Sequence, residues 1–169
     1  MKKISLFVLV LVALWTSTAF AQMVRVSDDG AERLYEKVQE AASSRSIELS
    51  AMRNLGWVEH GQAQNYQFSC GASGTTESFL VVPDGYVFAI DICYDTKDNA
   101  DALVMLRTTC DVLGVSVDEY ESLLNSIQAR NGYIASDLIW CEGLQRAVGF
   151  GVQSMGGTRM KVSILGFQQ

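Results

Sequence analysis

The sequence predicts an α+β fold in a single domain, and three features of its pattern support this. Apolar residues recur at helical spacing near the start, short blocks alternate between apolar and polar residues, and a helix-start motif marks a helical pair between those blocks. The expected order is an N-terminal helix, an antiparallel meander, an inserted helical hairpin and a C-terminal hairpin, held by two disulfides. With 169 residues, 49% of them hydrophobic, the chain can bury a core, and no polar or proline-rich linker divides residues 22–169.

Residues 1–21 have the pattern of a secretory signal peptide, which is absent from a mature protein. Two lysines precede an apolar run, and Ala19 and Ala21 give the small-x-small spacing of a cleavage site. The run is shorter than the roughly 20 apolar residues that span a bilayer. We therefore expect cleavage between Ala21 and Gln22, no stable membrane insertion, and a periplasmic or secreted mature protein.

The charge of the mature chain restricts its partners. Removing residues 1–21, which carry two lysines and no acidic residue, changes the formal net charge from −6 to −8. An acidic chain disfavours nucleic acid and anionic membrane surfaces, because both attract basic patches. A protein partner is compatible with this charge, and a basic one would be encountered faster.

The first predicted helix covers roughly residues 30–43. It starts at a sequence that resembles a capping box, with Asp29 in the place of serine. Leu34, Val38 and Ala42 then repeat at helical spacing, and the opposite face is charged. This pattern is typical of an amphipathic helix that packs one side against a core.

Three strands should form an antiparallel meander. Apolar and polar residues alternate over residues 66–70, and the runs at 79–82 and 86–94 are rich in valine, isoleucine and aromatic residues. A glycine-rich turn at 71–74 and a Pro-Asp-Gly turn at 83–85 separate the strands. Such short connections favour antiparallel neighbours.

Two helices are expected after the meander. Asp98 is placed to cap the first, and Gly114 suits the left-handed position at its end. Ser116 and Glu119 form a full S-x-x-E capping box at the start of the second, and Gly132 is expected to end that helix. This helical hairpin is the most fully specified part of the sequence.

The remaining segments predict further strands, and two of them are ambiguous. Residues 132–141 read as a strand, and 148–152 with 160–167 read as a hairpin. Residues 45–58 fit a strand or a helix, with a weak preference for a helix. Residues 136–148 fit either a strand or a helix.

The four cysteines predict two disulfides, because an even number in an exported chain is typical of such bridges. A Cys70–Cys93 bond is disfavoured, since an intervening strand would separate the two by about 10 Å. The preferred pairing is Cys93–Cys110, which ties a strand to the next helix, with Cys70–Cys141. The pairing of Cys70–Cys110 with Cys93–Cys141 stays open.

The composition argues against the familiar catalytic and metal sites. His60 is the only histidine and reads as a surface-loop residue, and the cysteines are expected to be oxidised. The chain has no G-x-S-x-G elbow, no phosphate-binding loop and no dinucleotide motif. The acidic stretch 95–101 fails as a calcium loop, because Lys97 and Ala100 occupy a ligand position and the glycine position. We therefore expect no metal ion and no cofactor.

Asp91 is the most notable single residue, because it interrupts an otherwise apolar strand. A carboxyl group with a raised pKa at this place could act as an acid or base, with Asp137 or Glu142 as the second carboxylate of a small hydrolase. The simpler interpretation, which we prefer, is that Asp91 faces solvent or accepts hydrogen bonds from the helical pair.

The leading functional hypothesis is a non-catalytic binding protein with a protein partner in the envelope or outside the cell. An inhibitor or immunity protein directed at an envelope-acting protein fits the export signal, the acidic charge and the lack of a catalytic set. The candidate binding residues are acids and aromatics: Asp91, Tyr94, Asp95, Asp98 and Trp57. The alternatives are the hydrolase that uses Asp91, and a binder of a small apolar ligand between sheet and helices.

Overall fold

The computed structural model describes residues 22–58, 62–130 and 132–168, which form three helices and ten strands. The helices are α1 (Ala31–Ser43), α2 (Ala100–Leu113) and α3 (Val117–Asn125). The strands are β1 (Gln22–Val24), β2 (Arg53–Trp57), β3 (Gln64–Cys70), β4 (Thr75–Val81), β5 (Val87–Asp95), β6 (Gln128–Arg130), β7 (Tyr133–Ala135), β8 (Ile139–Cys141), β9 (Arg146–Gly156) and β10 (Arg159–Gln168).

All ten strands belong to one antiparallel sheet. Its main path has the order β2-β3-β4-β5-β10-β9-β7-β6. The short strand β1 pairs with β10 beyond the end of β5, and β8 pairs with β9 beside β7. The meander β3-β4-β5 and the hairpin β9-β10 therefore form the centre of the sheet, and the sheet is larger than the sequence predicts.

The helices cover one face of the sheet, which we call the helix face. Buried side chains of α1, α2 and α3 pack there against alternate residues of the central strands. The largest of these fully buried groups are Leu34, Phe68, Phe79, Ile90, Ile92, Met105, Leu123, Phe150 and Ile164. The opposite side, the second face, carries a smaller cluster of Ala89, Ala147, Leu165 and Phe167, which includes no helix residue.

The helix ends test the capping predictions. Ser116 and Glu119 form the predicted capping box, and Gly114 adopts the predicted left-handed conformation with φ of 87°. The predicted end of α3 at Gly132 is wrong, because α3 ends at Asn125 and the chain then forms β6, which pairs with β7.

The predicted caps of the other two helices are wrong. Gly30 and Asn99 occupy the N-cap positions of α1 and α2, and neither side chain makes a capping hydrogen bond.

The two ambiguous segments are strands and turns. The weak preference for a helix over residues 45–58 is wrong, because this segment contains the edge strand β2. Gly56, with φ of 90°, lies where the register of β2 shifts against β3, which explains the lack of a clean alternation. Residues 136–148 contain β8, a turn and the start of β9.

The prediction of two disulfides is wrong. Cys70, Cys93, Cys110 and Cys141 are all buried and none of them is bonded to another. Cys93 alternates with the core residue Ile92 and so points to the second face, whereas Cys110 lies on α2 over the helix face. The sheet itself therefore separates Cys93 from Cys110.

The other preferred bridge fails for a topological reason. Cys70 lies on β3 and Cys141 on β8, which pairs with β9. Five strand-to-strand steps separate them along the order β3-β4-β5-β10-β9-β8, or about 24 Å measured along the sheet at the usual spacing. A disulfide needs Cα atoms within about 7 Å.

Candidate functional site

A surface cleft of about 750 Å³ opens at one end of the sheet. This volume lies within the range of pockets that bind small molecules or inserted side chains. The cleft brings together β1, the turn between β4 and β5, the turn between β8 and β9, and the end of β10. Its lining comprises Val24, Arg25, Val82, Asp84, Tyr86, Phe88, Trp140, Gln145, Arg146 and Gln168.

Arg25 and Tyr86 form a stacked pair in this lining. The guanidinium carbon of Arg25 lies 4.4 Å from the centre of the Tyr86 ring, which is a cation–π contact. The Nε of Arg25 lies 2.7 Å from Oδ1 of Asp28. These two contacts fix the plane of the guanidinium group while its side chain stays 46% exposed.

Arg146 anchors the segment that follows β1. Its side chain is only 12% exposed, and its Nη1 donates to the carbonyl oxygen of Arg25 at 2.6 Å. Its Nη2 donates to both carboxylate oxygens of Asp28, at 3.1 and 3.0 Å, and its Nε donates to the Leu144 carbonyl oxygen. The hydrogen bond from Arg146 lowers the pKa of Asp28, and the charge of Arg25 lowers it further. The carboxylate therefore stays ionised and keeps both arginines in place.

Gly166 allows β1 and the following residue to lie against β10. A Cβ atom at this position would lie 2.9 Å from the carbonyl oxygen of Arg25 and 3.2 Å from that of Val24. Both partners are backbone atoms, so a side chain here would displace the segment that carries Arg25. The position of Arg25 thus depends on a close backbone approach.

The other side of the cleft comes from the turn between β8 and β9. Trp140 is 37% exposed, the same fraction as Tyr86. Gln145 has φ of 53°, a left-handed conformation that is costly for a residue with a side chain. Its Nε2 donates to the carbonyl oxygen of Glu142 at 2.8 Å. The strained turn holds this edge of the cleft in a defined shape.

The structure places the predicted site residue Asp91 away from this cleft. It lies in the middle of β5 on the second face, directly opposite Ser163 of β10. The Ser163 hydroxyl donates to Oδ1 at 2.5 Å and Lys161 Nζ donates to Oδ2 at 3.2 Å. With both oxygens engaged and its side chain 14% exposed, the Asp91 carboxyl group is held between Ser163 and Lys161.

The other predicted site residues do not gather around Asp91. Asp95 ends β5, where the Lys97 backbone amide and the Thr158 hydroxyl donate to its carboxylate, and its pKa is lowered by these bonds. Asp98 forms an isolated bridge with Asp95. Tyr94 packs against the core of the helix face, and Trp57, 54% exposed, lies on the edge strand β2.

The carboxylates proposed for a hydrolase lie on different parts of the sheet. Asp137 precedes β8 and Glu142 follows it, whereas Asp91 is on β5. Three strand steps separate β8 from β5, or about 14 Å along the sheet. A glycosidase pair lies about 5–10 Å apart, so the fold does not bring these acids into that geometry.

The layer between sheet and helices, where the alternative hypothesis places an apolar ligand, is lined by buried apolar side chains. Phe68, Phe79, Phe150 and Met105 are at most 2% exposed in this layer.

In the described ranges, no group of three or more His, Cys, Asp or Glu side chains is arranged to hold a metal ion. His60 lies outside the described residues.

Sequence reasoning missed the cleft because its residues come from four segments far apart in the chain. Tyr86 had a usable signal, since an aromatic residue directly after a Pro-Asp-Gly turn lies near a strand end. Trp140 lies next to the turn of a hairpin that the sequence left ambiguous. Nothing in the local pattern marks Arg25 or Arg146, whose roles arise from tertiary contacts.

Comparisons with family models, with curated proteins and with solved structures find no match to this chain. None of the helices in the described part of the chain is both long and apolar enough to cross a membrane.

Proposed function

We propose that this chain is a non-catalytic binding protein that recognises a partner protein through the cleft formed by Arg25, Tyr86 and Trp140. The observation that carries this proposal is the pairing of a fixed, stacked arginine–tyrosine unit with an exposed tryptophan at one cleft. Tryptophan, tyrosine and arginine are the residue types that dominate binding energy at protein interfaces.

The rigidity of the cleft supports the same function. The Arg25 guanidinium is fixed by Tyr86 and Asp28, and the backbone of Arg25 is held by Arg146. A site ordered before binding loses less conformational entropy when the partner arrives, so more of the contact energy contributes to affinity. Such an arrangement suits recognition better than a mobile loop does.

The predicted export signal supports a partner in the envelope or outside the cell. The formal charge of −6 for the whole chain, or −8 without residues 1–21, disfavours nucleic acid as that partner. An inhibitor or immunity protein acting on an envelope-acting protein is the form of binding protein that we favour. It needs a stable frame and one recognition site, and no catalytic group.

The experiment compares capture of partners by the mature chain and by three variants. The chain is immobilised, exposed to an envelope extract, and the retained proteins are identified and quantified. Trp140→Ala removes the cleft tryptophan, and Met155→Ala removes another exposed apolar side chain, which is 53% exposed on β9. Trp57→Ala tests the edge strand β2.

We expect one partner that the wild type and Met155→Ala retain equally and that Trp140→Ala loses. If Trp140→Ala still captures the partner and Trp57→Ala does not, the binding site lies on β2, which contradicts the proposal. Absence of any protein that is retained above a blank support would also contradict it.

A further inference from the structure

We infer that the cleft recognises a carboxylate side chain of its partner, and that Arg25 is the group that binds it. This inference rests on the proposed function, because it assigns the chemistry of the same site. It goes further by fixing the charge of the segment that enters the cleft.

The donors of Arg25 exceed the acceptors that surround it. A guanidinium group has five N–H donors in one plane. Among the described residues, Asp28 is the one acid with which Arg25 pairs, and the contact runs through Nε at 2.7 Å. The outer edge of the guanidinium, formed by the two Nη groups, therefore has donors available at the cleft.

Arg146 does not compete for this role. Four of its donors are committed, one to each of the carbonyl oxygens of Leu144 and Arg25 and two to Asp28. Its side chain is 12% exposed, against 46% for Arg25. Arg146 is a positioning residue, and Arg25 is the group that a ligand can reach.

The charged groups at the cleft balance one another. Arg146 pairs with Asp28, and the charge of Arg25 is matched by Asp84, an exposed acid of the turn between β4 and β5. Selectivity for a carboxylate therefore comes from the directed donors of Arg25 and not from an excess of positive charge. A carboxylate that meets the fork of Arg25 in a bidentate manner gains geometric specificity as well as charge attraction.

The Tyr86 ring makes this recognition directional. Stacking at 4.4 Å fixes the guanidinium plane, so the two Nη donors point in a defined direction before the partner binds. Trp140 can then pack against the apolar stem of the incoming side chain. The structure thus fits a glutamate or aspartate that is flanked by apolar contacts.

The test measures the dissociation constant of the captured partner for wild type and three variants as sodium chloride rises. Arg25→Gln removes the charge and the fork, and Arg25→Lys keeps the charge alone. Arg33→Gln, on a side chain that is 74% exposed on α1, is the matched control. We expect Arg25→Gln to weaken binding about tenfold or more and to reduce the salt dependence of the wild type.

The dissociation constant of Arg25→Lys should fall between those of the wild type and Arg25→Gln. The dissociation constant of Arg33→Gln should equal that of the wild type. An unchanged dissociation constant in Arg25→Gln would overturn the inference. A loss of affinity with an unaltered salt dependence would also overturn it, since that result indicates a role in supporting Tyr86 alone.

The two proposals fail in different ways. Binding that is lost with Trp140→Ala but unaffected by Arg25→Gln leaves the proposed function standing and removes the carboxylate inference. Binding that neither variant changes removes both.

Discussion

The hydroxyl of Thr109 donates to the carboxyl group of Glu77, with Oγ1 lying 2.9 Å from one oxygen and 3.1 Å from the other. Glu77 lies on β4 with no exposed surface, below α2 on the helix face. Burial raises the pKa of Glu77 to about 8, and the hydrogen bond from Thr109 only partly offsets this effect. The group is therefore largely uncharged in the folded protein at neutral pH.

We predict that the raised pKa of Glu77 makes the free energy of unfolding fall as the pH rises. The folded-state pKa lies above the usual value of 4.5, so the unfolded chain releases its proton first. The stabilisation that comes from the neutral Glu77 carboxyl group is fully present below about pH 4.5. It is lost progressively up to about pH 8, as the free energy of unfolding falls by about 1.4 kcal/mol for each pH unit. Urea unfolding of the wild type and Glu77→Gln across this range measures the effect.

Glu77→Gln should remove this part of the pH dependence, whatever its absolute stability. Glu32→Gln, on the exposed side of α1, is the control and should retain the wild-type dependence. If Glu77→Gln and the wild type lose stability in parallel, the ionisation of Glu77 is not the cause.

We predict that the capping box formed by Ser116 and Glu119 stabilises α3. Its hydroxyl accepts from the Glu119 amide at 3.3 Å, and the Glu119 carboxylate accepts from the Ser116 amide at 2.7 Å. Ser116→Ala should lower the free energy of unfolding by about 1 kcal/mol. Ser122→Ala, which removes an exposed hydroxyl within α3, should change it by less than about 0.5 kcal/mol. Equal effects of the two substitutions in chemical denaturation would count against the cap.

We predict that position 143, in the turn between β8 and β9, requires glycine. A Cβ atom there would clash with the carbonyl oxygen of Gly114 at the end of α2, and the nearest atoms all belong to the Gly114 backbone. Gly143→Ala should destabilise the protein by about 1–3 kcal/mol. The control is Gly151→Ala, whose nearest contact is Ser163 Cβ at 4.0 Å, and it should cost much less. Thermal unfolding of both variants checks the difference.

We predict that the contacts of Asp91 with Lys161 and Ser163 stabilise the fold and do not bind a partner. Lys161→Met leaves the half-buried Asp91 carboxylate without this cation and should lower stability by about 1–3 kcal/mol. Lys37→Met, which breaks a pair with Asp29 at a side chain 46% exposed, should cost less than about 1 kcal/mol. Partner capture should be the same for both, and a selective loss of capture with Lys161→Met would place Asp91 in the binding site.

The sequence predicted the parts of the fold that local pattern determines. The helix α1, the capping box of α3, the meander and the final hairpin all carry their own periodicity or turn residues. The strands β1 and β6 have three residues each and no pattern of their own, because pairing with β10 and β7 makes them strands. The disulfides were wrong because the prediction had no information on which face of the sheet each cysteine occupies.

The candidate site was less predictable than the fold. The predicted acids and Tyr94 lie on β5 or directly after it, Trp57 lies on the edge strand β2, and none of them lines the cleft. The cleft depends instead on contacts between residues that are far apart in sequence. Arg146 and Arg25 are separated by 121 positions, yet one holds the backbone of the other. A relation of this kind follows from the register of β1, β9 and β10, which the sequence alone did not specify.

The central claim is that the cleft at Trp140 is the binding site for a partner protein. The most direct measurement is the dissociation constant of the captured partner for the wild type, Trp140→Ala and Met155→Ala. The account predicts that Trp140→Ala weakens binding by more than about tenfold, or more than about 1.4 kcal/mol, while Met155→Ala binds as the wild type does. Equal dissociation constants for all three proteins would contradict it.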